Sequence, residues 1–354
     1  MAEIVDVDDD LDRFQTEAVE RGWSDGLPVI PPTPERVERM LSGTDRDPAV
    51  SLMAMAPSFG ECTIEKVAIA AVMAGCLPEY MPVLVAIVEA AARPQFNMLA
   101  IQTTTHPCGI MAIVNGPIAR AVGLNGSSGA LGPGYRANST IGRAVRLVQQ
   151  NIGGAVPGRT DLATQGSPLK FGLCFAENAE ASPWEPYHVS KGYAAEESVV
   201  TIQAAEAPNA VKDHMSRSAR QLLMTLQQSM AIIGKGNAFQ RNLECTVGLG
   251  PEHAAMLHAE GMTRADLQTY LYERARIPYR AWALGGGADD NLGPKWTRWA
   301  DEDAYIPMSS SPDRIHVYVV GGPGKHSVWS SGSGASQIVS QRVEMADGSP
   351  WMPT

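Results

Sequence analysis

The sequence predicts an α/β fold: a mixed sheet with flanking apolar helices, or two intimately packed α/β subdomains. Three observations predict it. Short apolar runs of strand length end in Gly-Pro or Asn-Gly turns and pass into helical stretches, the repeating unit of α/β proteins. Two helices are apolar on almost every side and therefore have to be covered. Three strands end alike, at AIVNGP (112–117), VGLGP (247–251) and VVGGP (319–323), and a small-residue helix follows the first two.

A chain of 354 residues, 44% of them hydrophobic, is long enough for two packed units. Its net charge of −10 argues against nucleic acid and anionic membranes as partners. No apolar run reaches the length of a membrane span. The acidic start, MAEIVDVDDDLDRF, is unlike a signal peptide. The five cysteines are odd in number, widely spaced and without CxxC, which argues against a disulfide framework and for a reducing cytoplasm.

Residues 1–62 form the first expected unit, an N-terminal arm. It has an acidic helix within residues 1–22, a turn at Asp25-Gly26, and a helix opened by Pro34. The second unit, 63–205, is an α/β domain around a glycine loop. Thr63 caps a helix over Ile64–Ala74, and Pro82 opens another over Val83–Ala92. Strands are expected at Met98–Gln102, Ile110–Val114, Lys170–Phe175 and Val199–Gln203. The third unit, 206–354, holds a helix at Asp213–Gln228, a strand at Leu243–Leu249, helices at Glu252–Ala259 and Arg264–Arg274, and a strand at Ile315–Val320. A Gly/Trp-rich insertion covers Ala281–Met308. The Ser/Gly-rich tail after Ser330 is expected to loop over the surface or a neighbour.

The glycine loop is the first candidate site. Gly123, Gly126, Gly129, Gly132 and Gly134 lie within twelve residues, just before a helix expected near Thr140–Asn151. Asn138, Ser139 or Thr140 can cap that helix. Loop N–H groups, the helix dipole, Arg136 and Arg143 would together hold a carboxylate or phosphate. The loop matches neither GxGxxG nor GxxxxGK[ST], and a tight packing corner has the same composition. The sequence does not tell whether a cofactor is used.

Three further groups carry chemistry. In THPC (105–108), His106 stands two residues from Cys108, with a proline holding the pair extended; an imidazole beside a thiol makes a nucleophile. A buried structural cysteine is the alternative. Glu177, Glu180 and Glu185 crowd a loop with Trp184 and Tyr187, and Glu177, directly after its strand, is the candidate acid or base. At the ends of strands, Asn115, Glu252, His253, Lys325 and His326 would share the carboxyl edge of a sheet, where ligands gather. Asn115, Lys325 and His326 are taken as substrate-binding. His106 and Cys108 with His253 or His326 would make a metal site, but no HxH, HxxxH or CxxC pair supports one. His188, His214, His258 and His316 lack any such context and read as structural.

Several long stretches are similar to one family. They are TIEKVAIAAVMAGCLPEYMPV (63–83), IVNGPI (113–118), LGPGYRANSTIGRAVRLVQQNIGGAVPG (131–158), CFAENAEASPWEP (174–186), GPEHAAMLHAEGMTRADLQTYLYERARIP (250–278) and VVGGPGKHS (319–327). They resemble bacterial proteins of unassigned activity, related to sequences encoded beside, or fused to, proteins with a redox-type Sec-Gly-Ser-Cys (UGSC) motif. The resemblance covers most of the chain, which itself contains no Cys-Gly-Ser-Cys. It implies a family and no catalytic residue.

The expected function is an enzyme acting on a small anionic organic molecule by lyase-type or thiol-dependent redox chemistry. The alternative is a non-catalytic assembly subunit for a redox partner protein. A homo-oligomer burying part of residues 64–92 is expected, because so many helices are apolar all round.

Overall fold

The computed structural model describes residues 4–7, 10–236, 244–284, 304–333 and 335–353. In the first half, helices α1 (Leu11–Glu20) and α2 (Pro34–Leu41) precede a hairpin of β1 (Ser51–Met55) and β2 (Gly60–Thr63). Then come α3 (Ile64–Ala74), α4 (Met81–Ala92), α5 (Met98–Gln102), β3 (Gly109–Asn115), α6 (Pro117–Ala121), α7 (Arg136–Asn151), β4 (Leu173–Ala176) and β5 (Val199–Ala205). The second half has β6 (Asn209–Lys212), α8 (Ala219–Met230), β7 (Cys245–Leu249), α9 (Pro251–Ala259), α10 (Arg264–Arg274), β8 (Arg276–Pro278) and α11 (Tyr279–Trp282). It closes with β9 (Tyr305–Pro307), β10 (Ile315–Val319), β11 (His326–Ser331) and β12 (Val339–Arg342).

Two four-stranded mixed sheets stand at the centre. Their orders are β12-β5-β3-β4 and β10-β7-β11-β6. Each has one parallel pair, β3 with β4 and β7 with β10, followed by two antiparallel neighbours. The outer strands are exchanged. β6 follows β5 in the chain but pairs with β11, whereas β12 follows β11 but pairs with β5. The expected boundary between residues 205 and 206 falls at the passage from the first sheet to the second. The return passage, from β11 to β12, lies inside the third expected unit.

Helices cover both outer faces. Ala112, Val114, Cys174, Ile202 and Ala204 face a core shared with α3, α4 and α7. Val247, Leu249, Val317 and Val319 face a second core shared with α8, α9 and α10. The inner faces meet each other through Met111, Ile113, Phe175, Tyr318 and Val320. The architecture is thus helix, sheet, sheet, helix. Because β3 is buried on both faces, it reads as an unbroken apolar run and not as an alternation. Phe14, Ala18 and Met40 join the first core, so the N-terminal helices belong to the helical layer.

The structure corrects several sequence expectations. Met98–Gln102 is a helix and not a strand; a five-residue apolar run carries no period that separates the two. The strand expected from Lys170 begins at Leu173, because Pro168–Phe171 winds into a 3-10 turn. The helix expected from Asp213 begins at Ala219, capped by the Ser218 side chain. The tail after Ser330 supplies an edge strand of the first sheet. Leu243 and most of the Ala281–Met308 insertion lie outside the described residues. Within the 64–92 stretch, Val67, Ala68, Leu84, Val85 and Ile87 are buried within one chain. Among the described residues no single helix is long and apolar enough to cross a membrane. One pair, Pro78–Ala92 with Pro94–Gln102, passes on length and composition but is bent by 77°.

Candidate functional site

The expected site residues fall into separate places. Cys108 precedes β3 and Asn115 ends it, so the strand sets these two about 23 Å apart at 3.3–3.4 Å per residue. Cys108 and His106 therefore do not share a pocket with Asn115 and Glu177.

The place where Cys108 sits is the most complete chemically. Glu206 follows β5 and approaches His106 because β3 and β5 are antiparallel neighbours, with Gly109 opposite Ala205. His106 Nε2 lies 3.1 Å from Glu206 Oε1. Glu206 also accepts from Lys235 Nζ and from the Gly236 N–H, both at 2.9 Å. Burial alone would raise the Glu206 carboxyl, but these donors overcome it and hold it at about 2. The Cys108 thiol first, and then Glu206, raise His106 to about 9 against the effect of burial. With Nε2 engaged by Glu206, the buried Nδ1 is the nitrogen left for the thiol. Nδ1 has no partner of good geometry, and Sγ makes only a long 4.0 Å contact with the Ile101 carbonyl. Thiol and imidazole are thus close but unaligned, as in many sites without ligand.

Cys108 is buried, and it lines a cavity of about 20 Å³ with Arg146, Asp161 and Lys170. That is room for one water. Asp161 sits 3.4 Å from Arg146 and 3.0 Å from Lys170. Two cations and one carboxylate leave this wall with one formal positive charge. Glu206, Lys235, Arg146, Asp161 and Lys170 were all missed from sequence. Glu206 lies 100 residues from His106, and no local spacing announces it.

A larger pocket, about 420 Å³, lies where the glycine loop meets α7. Gly132, Asn138, Ser139 and Arg143 line it with Leu131 and Phe171. Helix α7 starts at Arg136, earlier than expected, and Tyr135 stands at the cap without a side-chain bond. Asn138 is inside the first turn, and its amide turns back on the loop. It accepts from the Asn125 N–H and donates to the Asn125 and Ala130 carbonyls at 2.9–3.0 Å. Arg143 donates to both carboxylate oxygens of Asp25, at 2.9 and 2.8 Å. Arg136 is exposed, donates to the Gly75 carbonyl at 3.0 Å, and does not line the pocket. Gly134 lies just outside it, at φ +117°. The pocket is where the loop and helix place it, but its cation is already neutralised.

Glu177 is buried between the sheets. It accepts from Asn115 Nδ2, from the Tyr187 N–H at 2.7 Å and from the Val319 N–H at 3.5 Å. Burial raises its carboxyl against those donors and nearby Arg264. Its partners come from β3, from the loop after β4 and from β10, so it ties the two sheets together. Lys325 donates to the Ser216 carbonyl at 3.0 Å, and His326 faces His214. Among the described residues, no three His, Cys, Asp or Glu side chains converge on a metal position.

No family model matches the chain, and no curated protein matches it.

Proposed function

We propose that the protein is a thiol-dependent enzyme in which Cys108 attacks a small anionic organic molecule. The observation that carries this is the placement of His106 between the Cys108 thiol and the Glu206 carboxylate. In this reading His106 takes the thiol proton, and Glu206 orients the imidazole and balances its charge. Arg146 and Lys170, offset by Asp161, draw the anionic end of the substrate toward the sulfur. The cavity admits little, so substrate has to displace the Pro168–Phe171 turn. That turn separates the cavity from the larger pocket, and Gly172 lines both. The alternative of an assembly subunit drew on the apolar faces of α3 and α4, which are buried inside the chain.

Two alkylating probes test this. Iodoacetate is a small organic anion, and iodoacetamide is its neutral counterpart. Cys108 should react first of the five cysteines and should favour iodoacetate relative to a free thiol. His106→Gln should slow both reagents at least tenfold. Burial pushes Cys62, Cys76 and Cys245 up to about 12, so they should stay unlabelled near neutrality. A Cys108 that resists both reagents, or that treats them as a free thiol does, would overturn the reading.

A further inference from the structure

We propose that His214 and His326 form a chelating pair for a divalent transition-metal ion, a site separate from Cys108. Both side chains are exposed, one in the loop after β6 and the other at the start of β11. Their Nε2 atoms stand 2.9 Å apart, the ring centroids are 4.7 Å apart, and the planes meet at 88°. Two imidazole nitrogens bound to one ion at about 2.0–2.1 Å stand about 2.9–3.4 Å apart, for angles from right to tetrahedral. A straight N–H···N bond of the same length, the preferred geometry for hydrogen bonding, would set the centroids about 5.2 Å apart. The shorter separation shows that the two ring axes are not both collinear with the N···N line, and the nitrogen spacing itself is that of two ligands on one ion.

The pair is held from beneath by a third histidine. His253 is fully buried. Its Nε2 donates to the Asp213 carbonyl at 3.1 Å, and its Nδ1 accepts from the Ser327 hydroxyl at 2.8 Å. Asp213 precedes His214 in the chain, and Ser327 follows His326, so one ring fixes the spacing of both ligand-bearing backbones. Burial lowers the His253 pKa, which agrees with a neutral ring donating from one nitrogen and accepting at the other. Strand pairing adds to this, because His326 lies opposite Lys212 in the β6–β11 ladder. Ligands set on two tied backbones lose little freedom on binding, which is what a preorganised site requires. The Asp213 carboxylate is committed to the Ser216 N–H and hydroxyl, at 2.9 and 2.6 Å. Water therefore fills the remaining positions on the ion. Two imidazoles favour Cu²⁺, Ni²⁺ and Zn²⁺ over Mg²⁺ and Ca²⁺.

The test is calorimetric titration of the full chain with NiCl₂, ZnCl₂ and MgCl₂, joined to NMR of the histidine rings with substoichiometric Cu²⁺. One Ni²⁺ or Zn²⁺ per chain should bind, and Mg²⁺ should not. His214→Ala and His326→Ala should each weaken binding at least tenfold, while His258→Ala, at an exposed histidine elsewhere, should leave it unchanged. Cu²⁺ should broaden the His214 and His326 rings first. Absence of Ni²⁺ and Zn²⁺ binding, or binding that survives His214→Ala, would overturn the proposal.

Discussion

The substitution Glu206→Gln probes the centre of the proposed site. It keeps the size of the side chain and an acceptor for the Gly236 N–H, but removes the charge facing His106 and Lys235. His106 rises from 6.5 to about 9, with Cys108 the larger cause and Glu206 the next. At about 1.4 kcal/mol per pKa unit, the whole rise is on the order of 3 kcal/mol, and the part owed to Glu206 is on the order of 1 kcal/mol. The side chains are 23% and 12% exposed, so solvent screening removes only part of that. The sign follows from linkage. A raised histidine stabilises the fold fully below its unfolded value and loses that contribution as pH rises through about 9. Glu206, held at about 2, contributes above its unfolded value and loses it as pH falls through about 2. The pair therefore stabilises most between roughly pH 4.5 and 6.5. Urea unfolding should show Glu206→Gln costing about 1–2 kcal/mol at pH 6, and on the order of 1 kcal/mol less at pH 10. NMR titration should show His106 moving down by roughly one pH unit in the variant. If His106 still titrates near 9 without the carboxylate, the ion pair is not what raises it, and Glu206 has no orienting role.

Two further predictions concern the glycine-loop side. Gly172→Ala places a methyl about 2.0 Å from the Gly142 carbonyl oxygen, at φ +101°. It should cost roughly 3 kcal/mol or more in urea unfolding, and a loss below 1 kcal/mol would show that the turn yields easily. Asp25→Asn removes the charge that offsets Arg143 beside the 420 Å³ pocket while the Leu27 and Pro28 carbonyls still hold the guanidinium, so sulfate affinity should rise roughly tenfold by calorimetry; no gain would mean that Arg143 does not face the ligand space.

Much of the helical structure was legible because its signals are local. Thr63 caps α3 from its side chain, Gly75 ends it at φ +87°, and Pro34 opens α2, all as their residue types dictate. The shared endings at 112–117 and 247–251 mark β3 and β7, which hold corresponding places in the two sheets. The third, at 319–323, ends β10, whose counterpart is β4, so similar turn chemistry recurs at a different position. The exchange of β6 and β12 had no local signal, since edge strands of four residues carry little pattern. Asn138 and Arg143 were legible as residues near a pocket but not as to their bonds. Asp25, 118 positions away, decides what Arg143 does.

The sequence by itself determined the α/β class, the two buried helices, the glycine loop ahead of α7 and the nearness of His106 to Cys108 along the chain. These depend on propensity, capping and spacing within a few residues. Only the tertiary structure decided that Glu206 meets His106, that Asp25 neutralises Arg143, and that His214 meets His326 over His253. Each such contact joins residues from 40 to 118 positions apart in the chain. Strand pairing and sheet packing bring them together, and neither is encoded in the local period of the sequence.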